Sequence, residues 1–310
     1  MPDKNVVILG CPIMEGFAHA VAKALEHYPV EYSPVRWGEF SDGFPDTSID
    51  AEAVRNRHVW FFASLENPLE IFRQFSVLWA LPRYGARSLN VVLPFYPTGT
   101  MERKMKPGDI VTAKSLARMF DAIPGNAGTP RIFIFDIHDL REEFYFSDNV
   151  LVFLQSAIPY LSKSFYDWSV AFPDEGAQKR FGKTLSNFSQ ITCQKIRQGD
   201  ERIVTVKEGK VQGRDILIVD DLTRTGGTLI ECAKVLKSQG AATINLVVPH
   251  AAVNARAVSK LVEAHEQGLI NRLYTTDSCP AAVKLLAGLD FVFIKSLCNP
   301  VVEIILREEF

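Results

Sequence analysis

The stretch DILIVDDLTRTGGT, from Asp215 to Thr228, decides the fold prediction. Four apolar residues run directly into the adjacent carboxylates Asp220 and Asp221, and the polar turn that follows ends in two glycines between threonines. An apolar run, a turn and then a helical pattern starting near Thr228 predict a buried strand, a loop and a helix that ends at Gly240. This strand–loop–helix unit is a building block of α/β folds.

Further apolar runs recur along the chain, with helical patterns between them. They are almost continuously hydrophobic rather than alternating, which is typical of strands in a parallel sheet covered on both faces. In one intervening segment, Asn67 is a predicted N-cap, Pro68 falls in the first turn and Glu70 has capping-box spacing. Besides the strand at Asp215, strands are predicted in the segments that begin at Asn5, His58, Leu89, Arg131, Ser169 and Ile244.

The length of 310 residues is sufficient for two domains. Strand and helix alternation over that length predicts an α/β fold made of two tandem, doubly wound domains with mainly parallel sheets. We place the first domain at residues 1–157 and the second at residues 158–310, with the last helix free to pack back on the first domain.

Composition excludes several classes of function. The formal net charge is −2 and no long basic run occurs, which argues against a nucleic-acid partner. The five cysteines include no CxxC pair, a pattern typical of reduced intracellular thiols. No apolar run approaches the roughly 18 residues of a membrane span, and the first apolar run is too short for a signal peptide. We therefore expect a cytoplasmic protein without a membrane partner.

The residues from Asp220 to Thr228 suggest their own ligand. In a doubly wound sheet, ligands bind beyond the carboxyl ends of the strands, where Asp220 and Asp221 fall. Bare glycine backbone at a helix amino terminus offers N–H groups to a phosphate, and the flanking threonines add hydroxyl donors. Carboxylates accept hydrogen bonds from sugar hydroxyls or hold Mg²⁺. The combination predicts a ribose phosphate site, and the alternative is a plain helix cap after a tight turn.

The segment IVDDLTRTGGT resembles the phosphoribosyl diphosphate (PRPP) motif of the type I phosphoribosyltransferase fold. The resemblance implies that fold for both domains. It also implies that ribose 5-phosphate or PRPP binds at Asp220, Asp221, Thr223, Arg224, Thr225, Gly226, Gly227 and Thr228.

Two further segments resemble ribose-phosphate pyrophosphokinases, also called PRPP synthetases. FDIHDLREEFYFSDN resembles their D-x-H segment, whose histidine contacts Mg·ATP, so His138 is implied as a catalytic and ATP-binding residue. CQKIRQGDERIV resembles their catalytic loop, in which a Lys-x-Arg pair closes over the transferring phosphates, so Lys195 and Arg197 are implied as catalytic. Without the resemblance, His138 would be a structural residue and the two cations would lie in an ordinary exposed hairpin.

The segment AFPDEGAQKRF resembles the part of the same family in which a strand ends in Pro-Asp and a Lys-Arg pair follows. Lys179 and Arg180 form that pair here, and the alternative for them is a solvated helix face. The family resemblance implies Mg²⁺ as the cofactor. Its implied ligands are His138, Asp136, Asp174 and Asp220.

The ATP segments depart from the common class of this family. P-T-G-T-x-E-R, together with TDSCP near Asp277, resembles the class II, plant-type members. EFSDGF corresponds to the adenine-contacting arm of the common class but has Asp42 and Phe44 in place of its Asn and Glu. The nucleotide donor is therefore open to more than ATP. The implied ATP-binding residues are Phe40, Asp42, Thr100, Glu102, Arg103 and His138.

The predicted reaction is Mg-dependent diphosphoryl transfer from ATP, or another nucleotide donor, to the C1 hydroxyl of ribose 5-phosphate. The products would be PRPP and AMP, and the family implies a homo-oligomer with a shared active site. One alternative is a phosphoribosyltransferase that consumes PRPP. The other is a non-catalytic, synthetase-like regulatory subunit or PRPP sensor.

Overall fold

The computed structural model describes residues 5–97, 101–198 and 201–310, without the side chains of residues 195–203. The chain forms two compact units, Met1–Gln155 with Leu297–Phe310, and Ser156–Ser296. The first and the last segments of the chain therefore belong to one unit. In the described parts of the chain, no helix has both the length and the apolar character that crossing a bilayer would need.

The first unit is built on a six-stranded sheet in the order β2-β1-β5-β6-β7-β8, in which every pair is parallel. A separate antiparallel hairpin pairs β3 with β4. The strands are β1 (Val6–Gly10), β2 (Val30–Tyr32), β3 (Arg36–Glu39), β4 (Pro45–Ser48), β5 (His58–Phe62), β6 (Ser88–Leu93), β7 (Arg131–Phe135) and β8 (Leu151–Gln155). The helices are α1 (Glu15–Ala24), α2 (Ala51–Val54), α3 (Pro68–Ala80) and α4 (Thr112–Asp121), with 3₁₀ turns at Pro12–Met14, Leu81–Tyr84 and Leu140–Tyr145.

The central strands of this sheet are buried, as their continuous apolar sequences predict. All five residues of β1 are buried, and so are the last four of β5. Helices cover both faces of such a sheet because an apolar surface on either side must be removed from water.

Helix α3 begins as predicted from its sequence. The Asn67 side chain accepts a hydrogen bond from the backbone N–H of Leu69 at 3.0 Å, and Pro68 occupies the first helical position. Glu70 pairs with Arg73 at 3.4 Å. The N-cap prediction is therefore confirmed.

The second unit is built on a seven-stranded sheet in the order β11-β10-β9-β12-β14-β16-β17. All its pairs are parallel except the β10–β11 hairpin, and a short parallel ladder joins β13 to β15. The strands are β9 (Ser169–Phe172), β10 (Ser189–Gln198), β11 (Glu201–Glu208), β12 (Asp215–Val219), β13 (Leu222–Thr223), β14 (Thr243–Val247), β15 (His250–Ala251), β16 (Arg272–Thr276) and β17 (Val292–Lys295). The helices are α5 (Ile158–Ser162), α6 (Glu175–Phe181), α7 (Gly227–Ser238), α8 (Ala255–Glu266) and α9 (Pro280–Leu286).

Helix α7 starts within one residue of the predicted Thr228 and ends at Ser238, two residues before the predicted Gly240. Gly240 has φ +85°, and its N–H donates to the Lys237 carbonyl at 3.0 Å while the Ala241 N–H donates to the Leu236 carbonyl at 3.1 Å. These two bonds form a Schellman C-cap, which needs the left-handed backbone that glycine adopts without strain.

The final helix, α10 (Cys298–Glu309), belongs to the first unit. Each of the seven segments predicted as strands contains a strand in the structure. The predicted α/β fold with two mainly parallel sheets is confirmed.

Candidate functional site

The double aspartate lies where the sequence analysis placed it, beyond the carboxyl end of β12. The Asp220 N–H donates to the Val247 carbonyl of the neighbouring strand at 3.2 Å, and the Asp221 N–H donates to the Asp220 Oδ1 atom at 3.0 Å. The β13–β15 ladder holds the next residues, and the His250 N–H donates to the Asp221 carbonyl at 3.1 Å. The backbone on both sides of the two carboxylates is therefore fixed by the sheet.

The turn that follows leads directly into the amino terminus of α7. Gly226 has φ +73°, and its N–H donates to the Thr223 hydroxyl at 3.2 Å. The Gly227 N–H donates to the Thr225 hydroxyl at 3.4 Å. Thr223 is buried, whereas Arg224 and Thr225 are exposed. This geometry gathers backbone N–H groups and hydroxyls at the positive end of a helix dipole, an arrangement suited to a phosphate.

Acidic side chains crowd around Asp220. Burial, the Asp221 carboxylate and Asp174 together raise the pKa of Asp220 well above its ordinary value. Asp174 is the N-cap of α6 and accepts a hydrogen bond from the Ala177 N–H at 3.0 Å. Arg180 brings a positive charge to this cluster, with its Nη1 atom 3.3 Å from the Asp221 Oδ2 atom.

In the first unit, the D-x-H segment leaves the carboxyl end of β7. Asp136 is 2% exposed and its N–H donates to the Gln155 carbonyl at 2.9 Å. Its φ of +39° is uncommon for a residue other than glycine, and strained backbone of this kind clusters at functional sites. His138, two residues later, is exposed. The sharp turn at Asp136 thus precedes a histidine that presents its ring to solvent.

The 3₁₀ turn after His138 has a capping box. The Arg141 N–H donates to the Asp139 carboxylate at 2.9 Å, and the Asp139 N–H donates to the Glu142 Oε1 atom at 3.2 Å. Hydrogen bonds from Arg141 lower the pKa of Asp139. Glu142 is only 1% exposed, and its burial raises its pKa to about 8.

The loop with predicted ATP-binding residues contacts this same turn. The Tyr145 hydroxyl donates to the Glu102 carbonyl oxygen. The Glu102 carboxylate pairs with the Arg103 Nε atom at 3.2 Å. The structure therefore brings two predicted ATP-binding residues, Glu102 and Arg103, to the turn that follows His138.

Phe40 and Asp42, the other described residues predicted to bind ATP, lie at the tip of the β3–β4 hairpin. The Phe40 N–H donates to the Phe44 carbonyl at 2.8 Å, and the Phe44 N–H donates to the Asp42 carboxylate at 3.1 Å. Phe40 and Phe44 are 55% and 64% exposed. Two aromatic rings thus face solvent at the tip, and the Asp42 carboxylate closes its own turn.

Three predicted residues cannot be placed in the same way. Thr100 lies outside the described residues. Lys195 and Arg197 belong to β10, where they pair with Val204 and Arg202 of β11, and their side chains lie outside the description. Their assigned roles stay predictions.

The arrangement of the acidic residues suits Mg²⁺ that is bound jointly by carboxylates and substrate phosphates. It does not suit a Mg²⁺ site made of protein ligands alone. Within the described residues, no three His, Cys, Asp or Glu side chains converge as a metal-binding group. Mg²⁺ keeps several waters and is usually held by one or two carboxylates together with substrate phosphates. The charge of Asp174 contributes to the raised pKa of Asp220, so these two carboxylates are the candidates for such a pair in the second unit.

Sequence analysis missed two side chains of these clusters, Glu142 and Tyr145, and it named Arg180 in the Lys-Arg pair without its contact to Asp221. Glu142 stands three residues after Asp139, so the capping-box spacing would have identified it. Tyr145 and Arg180 contact partners 43 and 41 residues away, and no local pattern indicates such contacts.

Comparisons with known proteins match both parts of the chain. The family model of the N-terminal domain of ribose phosphate pyrophosphokinase matches residues 6–123, and that of the phosphoribosyl transferase domain matches residues 150–271. The chain is 40% identical over 309 residues to ribose-phosphate pyrophosphokinase 3, chloroplastic, of Oryza sativa subsp. japonica, covering 96% of this chain and 75% of that protein. It is 41% identical over 292 residues to ribose-phosphate pyrophosphokinase 4 of the same organism, covering 91% and 89%.

A second plant organelle protein and a solved structure are also similar. Ribose-phosphate pyrophosphokinase 3, mitochondrial, of Spinacia oleracea is 41% identical over 295 residues, covering 91% of this chain and 72% of that protein. The crystal structure of phosphoribosylpyrophosphate synthetase from Mycobacterium smegmatis superposes with a TM-score of 0.78 at 20% identity, covering 97% of this chain and 98% of that one. The superposition shows that the two chains share a fold.

Proposed function

Because the chain belongs to the ribose-phosphate pyrophosphokinase family and is an enzyme of that class, we propose that it transfers the diphosphoryl group of ATP to ribose 5-phosphate with Mg²⁺ bound. The C1 hydroxyl of the sugar attacks the β-phosphorus of ATP. The bond between that phosphorus and the α,β-bridging oxygen breaks, AMP leaves, and the proton of the C1 hydroxyl is released to solvent. The observation that carries the proposal is the sequence of β12, double aspartate, glycine turn and α7.

Ribose 5-phosphate binds at that turn in this proposal. The N–H groups of Gly226 and Gly227 and the hydroxyls of Thr225 and Thr228 surround the 5-phosphate, with the helix dipole adding positive potential. In the free protein the two glycine N–H groups donate to threonine hydroxyls, so phosphate oxygens replace those acceptors. Asp220 and Asp221 accept hydrogen bonds from the ribose hydroxyls.

The nucleotide binds to the first unit in this proposal. His138 donates to phosphate oxygens, and Glu102 and Arg103 line the nucleotide from the loop that Tyr145 holds. The exposed ring of Phe40 offers an apolar face to a base. Asp42 and Thr100 complete the predicted nucleotide-binding residues.

Most of the rate in phosphoryl transfer comes from positioning and from charge stabilisation. Lys195 and Arg197 stabilise the charge that develops on the transferring phosphates. Asp174 and Asp220 in the second unit, and Asp136 and His138 in the first, are the residues that would hold Mg²⁺. Bound Mg²⁺ neutralises part of the phosphate charge.

The proposal also covers the oligomeric state and the range of nucleotide donors. We expect a homo-oligomer with a shared active site, as the family resemblance implies, and a nucleotide donor that need not be ATP, as the class II resemblance implies. The cytoplasmic location stays a prediction from the sequence, and two of the relatives named above are chloroplastic and mitochondrial proteins.

The proposal is tested by AMP formation from ATP and Mg²⁺, with and without ribose 5-phosphate, in buffer free of inorganic phosphate. AMP that depends on ribose 5-phosphate supports the synthetase. A phosphoribosyltransferase would instead consume PRPP when given a nucleobase. A sensor would bind ribose 5-phosphate and release no AMP, even after phosphate is added back.

A further inference from the structure

Arg180 reaches the ribose phosphate loop from a neighbouring strand–helix unit. β9 pairs in parallel with β12, so both strands end at the same edge of the sheet. Helix α6 follows β9, and Arg180 lies in its last turn. The Nη1 atom of Arg180 is 3.3 Å from the Oδ2 atom of Asp221, although 41 residues separate the two in sequence.

The contact between Arg180 and Asp221 is withdrawn from water. The Arg180 side chain is 13% exposed and that of Asp221 is 8% exposed. The guanidinium carbon also lies 4.9 Å from the centre of the Phe181 ring, over its face. An ion pair held in this way differs from an exposed surface pair, because its partners lose little additional side-chain entropy and are weakly screened.

The two aspartate side chains have different hydrogen-bond partners. The Asp220 carboxylate accepts the Asp221 N–H at 3.0 Å, while the Asp221 carboxylate is held by a guanidinium. A planar guanidinium orients a carboxylate through fixed donor directions, which a lysine ammonium cannot do. One oxygen of Asp221 is thereby fixed, and the orientation of the other follows.

We propose that Arg180 is a positioning residue for sugar recognition: it fixes the Asp221 carboxylate so that this side chain accepts hydrogen bonds from the ribose hydroxyls. The inference rests on the proposed function, since it assigns ribose 5-phosphate to this loop. Arg180 acts through Asp221, so its loss affects the binding of the sugar phosphate and not that of the nucleotide.

Four variants test this role. Arg180→Gln removes the charge, Arg180→Lys keeps the charge without the planar guanidinium, Asp221→Asn removes the carboxylate charge, and the double variant Arg180→Gln with Asp221→Asn removes both partners. Lys234→Gln is the matched control, because it removes one cation from the same unit by breaking an exposed pair with Glu231. Each protein is assayed for AMP formation against both substrates, for ribose 5-phosphate binding by calorimetry, and for its melting temperature.

Arg180→Gln is expected to raise the KM and the Kd for ribose 5-phosphate at least about tenfold, since breaking a buried charge pair is costly. The KM for ATP stays unchanged, and Arg180→Lys recovers part of the loss. Because Arg180 acts through Asp221, the double variant should lose no more affinity for ribose 5-phosphate than Asp221→Asn alone. Lys234→Gln should match the unmodified protein.

Three outcomes would overturn the inference: equal changes in both KM values, additive losses in the double variant, or sugar binding unaffected by Arg180→Gln. A purely structural ion pair would lower the melting temperature and leave the KM for ribose 5-phosphate as it was. Failure of the proposed function is distinguishable. Arg180-dependent binding without AMP formation contradicts the enzyme, whereas AMP formation indifferent to Arg180 contradicts the inference alone.

Discussion

Arg131 at the start of β7 and Glu309 at the end of α10 form an ion pair within the first unit, with Nη2 and Oε1 2.8 Å apart across 178 residues of sequence. The Trp60 Nε1–H donates to the same oxygen at 3.1 Å, and the His58 Nδ1 atom lies 3.2 Å from the other. The Glu309 side chain is 4% exposed. The end of the chain is therefore fastened to the sheet formed by its first half.

Loss of the Arg131–Glu309 ion pair should destabilise the first unit. We expect Glu309→Gln to lower the free energy of unfolding by about 2 kcal/mol, because the buried Glu309 carboxylate loses its charge-assisted hydrogen bonds while Arg131 keeps its pair with Glu308 at 2.9 Å. The measurement is the shift of the urea unfolding midpoint. Glu303→Gln, an exposed change on the same helix, should leave the midpoint in place. Equal midpoints for both variants would contradict the role of the pair.

Gly226→Ala should weaken ribose 5-phosphate binding. A left-handed backbone costs an alanine about 1–2 kcal/mol, and the added Cβ would lie 3.4 Å from the Ile230 side chain. Gly240→Ala is the matched control, since Gly240 has a similar φ of +85° at the other end of the same helix. Both variants should melt lower than the unmodified protein, but only Gly226→Ala should raise the KM for ribose 5-phosphate. A raised KM in both would mean that helix stability, not the loop, sets binding.

Glu142 should make stability depend on pH. Its pKa of about 8 in the folded protein exceeds the ordinary value of 4.5, so the folded protein holds a proton that the unfolded chain has lost between these values. The contribution of Glu142 to stability is then greatest below about pH 4.5 and falls as the pH rises towards 8. Glu142→Gln removes this loss, so its melting temperature should exceed that of the unmodified protein increasingly from pH 5 to pH 8. The exposed neighbour change Glu143→Gln should follow the unmodified protein, and a constant difference across that range would contradict the assignment.

Lys195→Ala should abolish most of the turnover. If Lys195 stabilises charge on the transferring phosphates, its loss should lower kcat by about 10³ or more, in the range found for arginine fingers. The KM values should change little, since the charge develops in the transition state. Lys210→Ala, an exposed change beyond the same hairpin, controls for loss of positive charge. Unchanged kcat in Lys195→Ala would remove this residue from the reaction.

The sequence predicted the central strands better than the edges of the sheets. Central strands such as β1 and β12 are buried on both faces, which produces the continuous apolar runs that were recognised. The edge strands β2, β8 and β17 are only partly buried and were missed, although the sequences of β8 (LVFLQ) and β17 (VFIK) are largely apolar. β16 was missed for another reason: it contains Thr275 and Thr276, which interrupt the apolar run. Their buried hydroxyls donate to the Pro249 carbonyl, so these polar groups are satisfied inside the core.

The local parts of the site could be predicted, whereas contacts between distant segments could not. The Asp220–Thr228 loop lies within one consecutive strand–turn–helix unit. Its position at the end of the strand can therefore be predicted from the local sequence. The Arg180–Asp221 pair depends on β9 lying beside β12, and the Tyr145–Glu102 bond depends on two loops meeting. No local sequence pattern predicts either of these two contacts.

Phosphorus NMR of the products formed from ATP, Mg²⁺ and ribose 5-phosphate tests diphosphoryl transfer most directly. Diphosphoryl transfer predicts AMP and PRPP in equal amounts, with the β- and γ-phosphorus of ATP appearing together as a diphosphate on C1 of the sugar. ADP with a ribose bisphosphate would contradict diphosphoryl transfer. No sugar product at all would contradict catalysis and leave the Asp220–Thr228 loop as a binding site only.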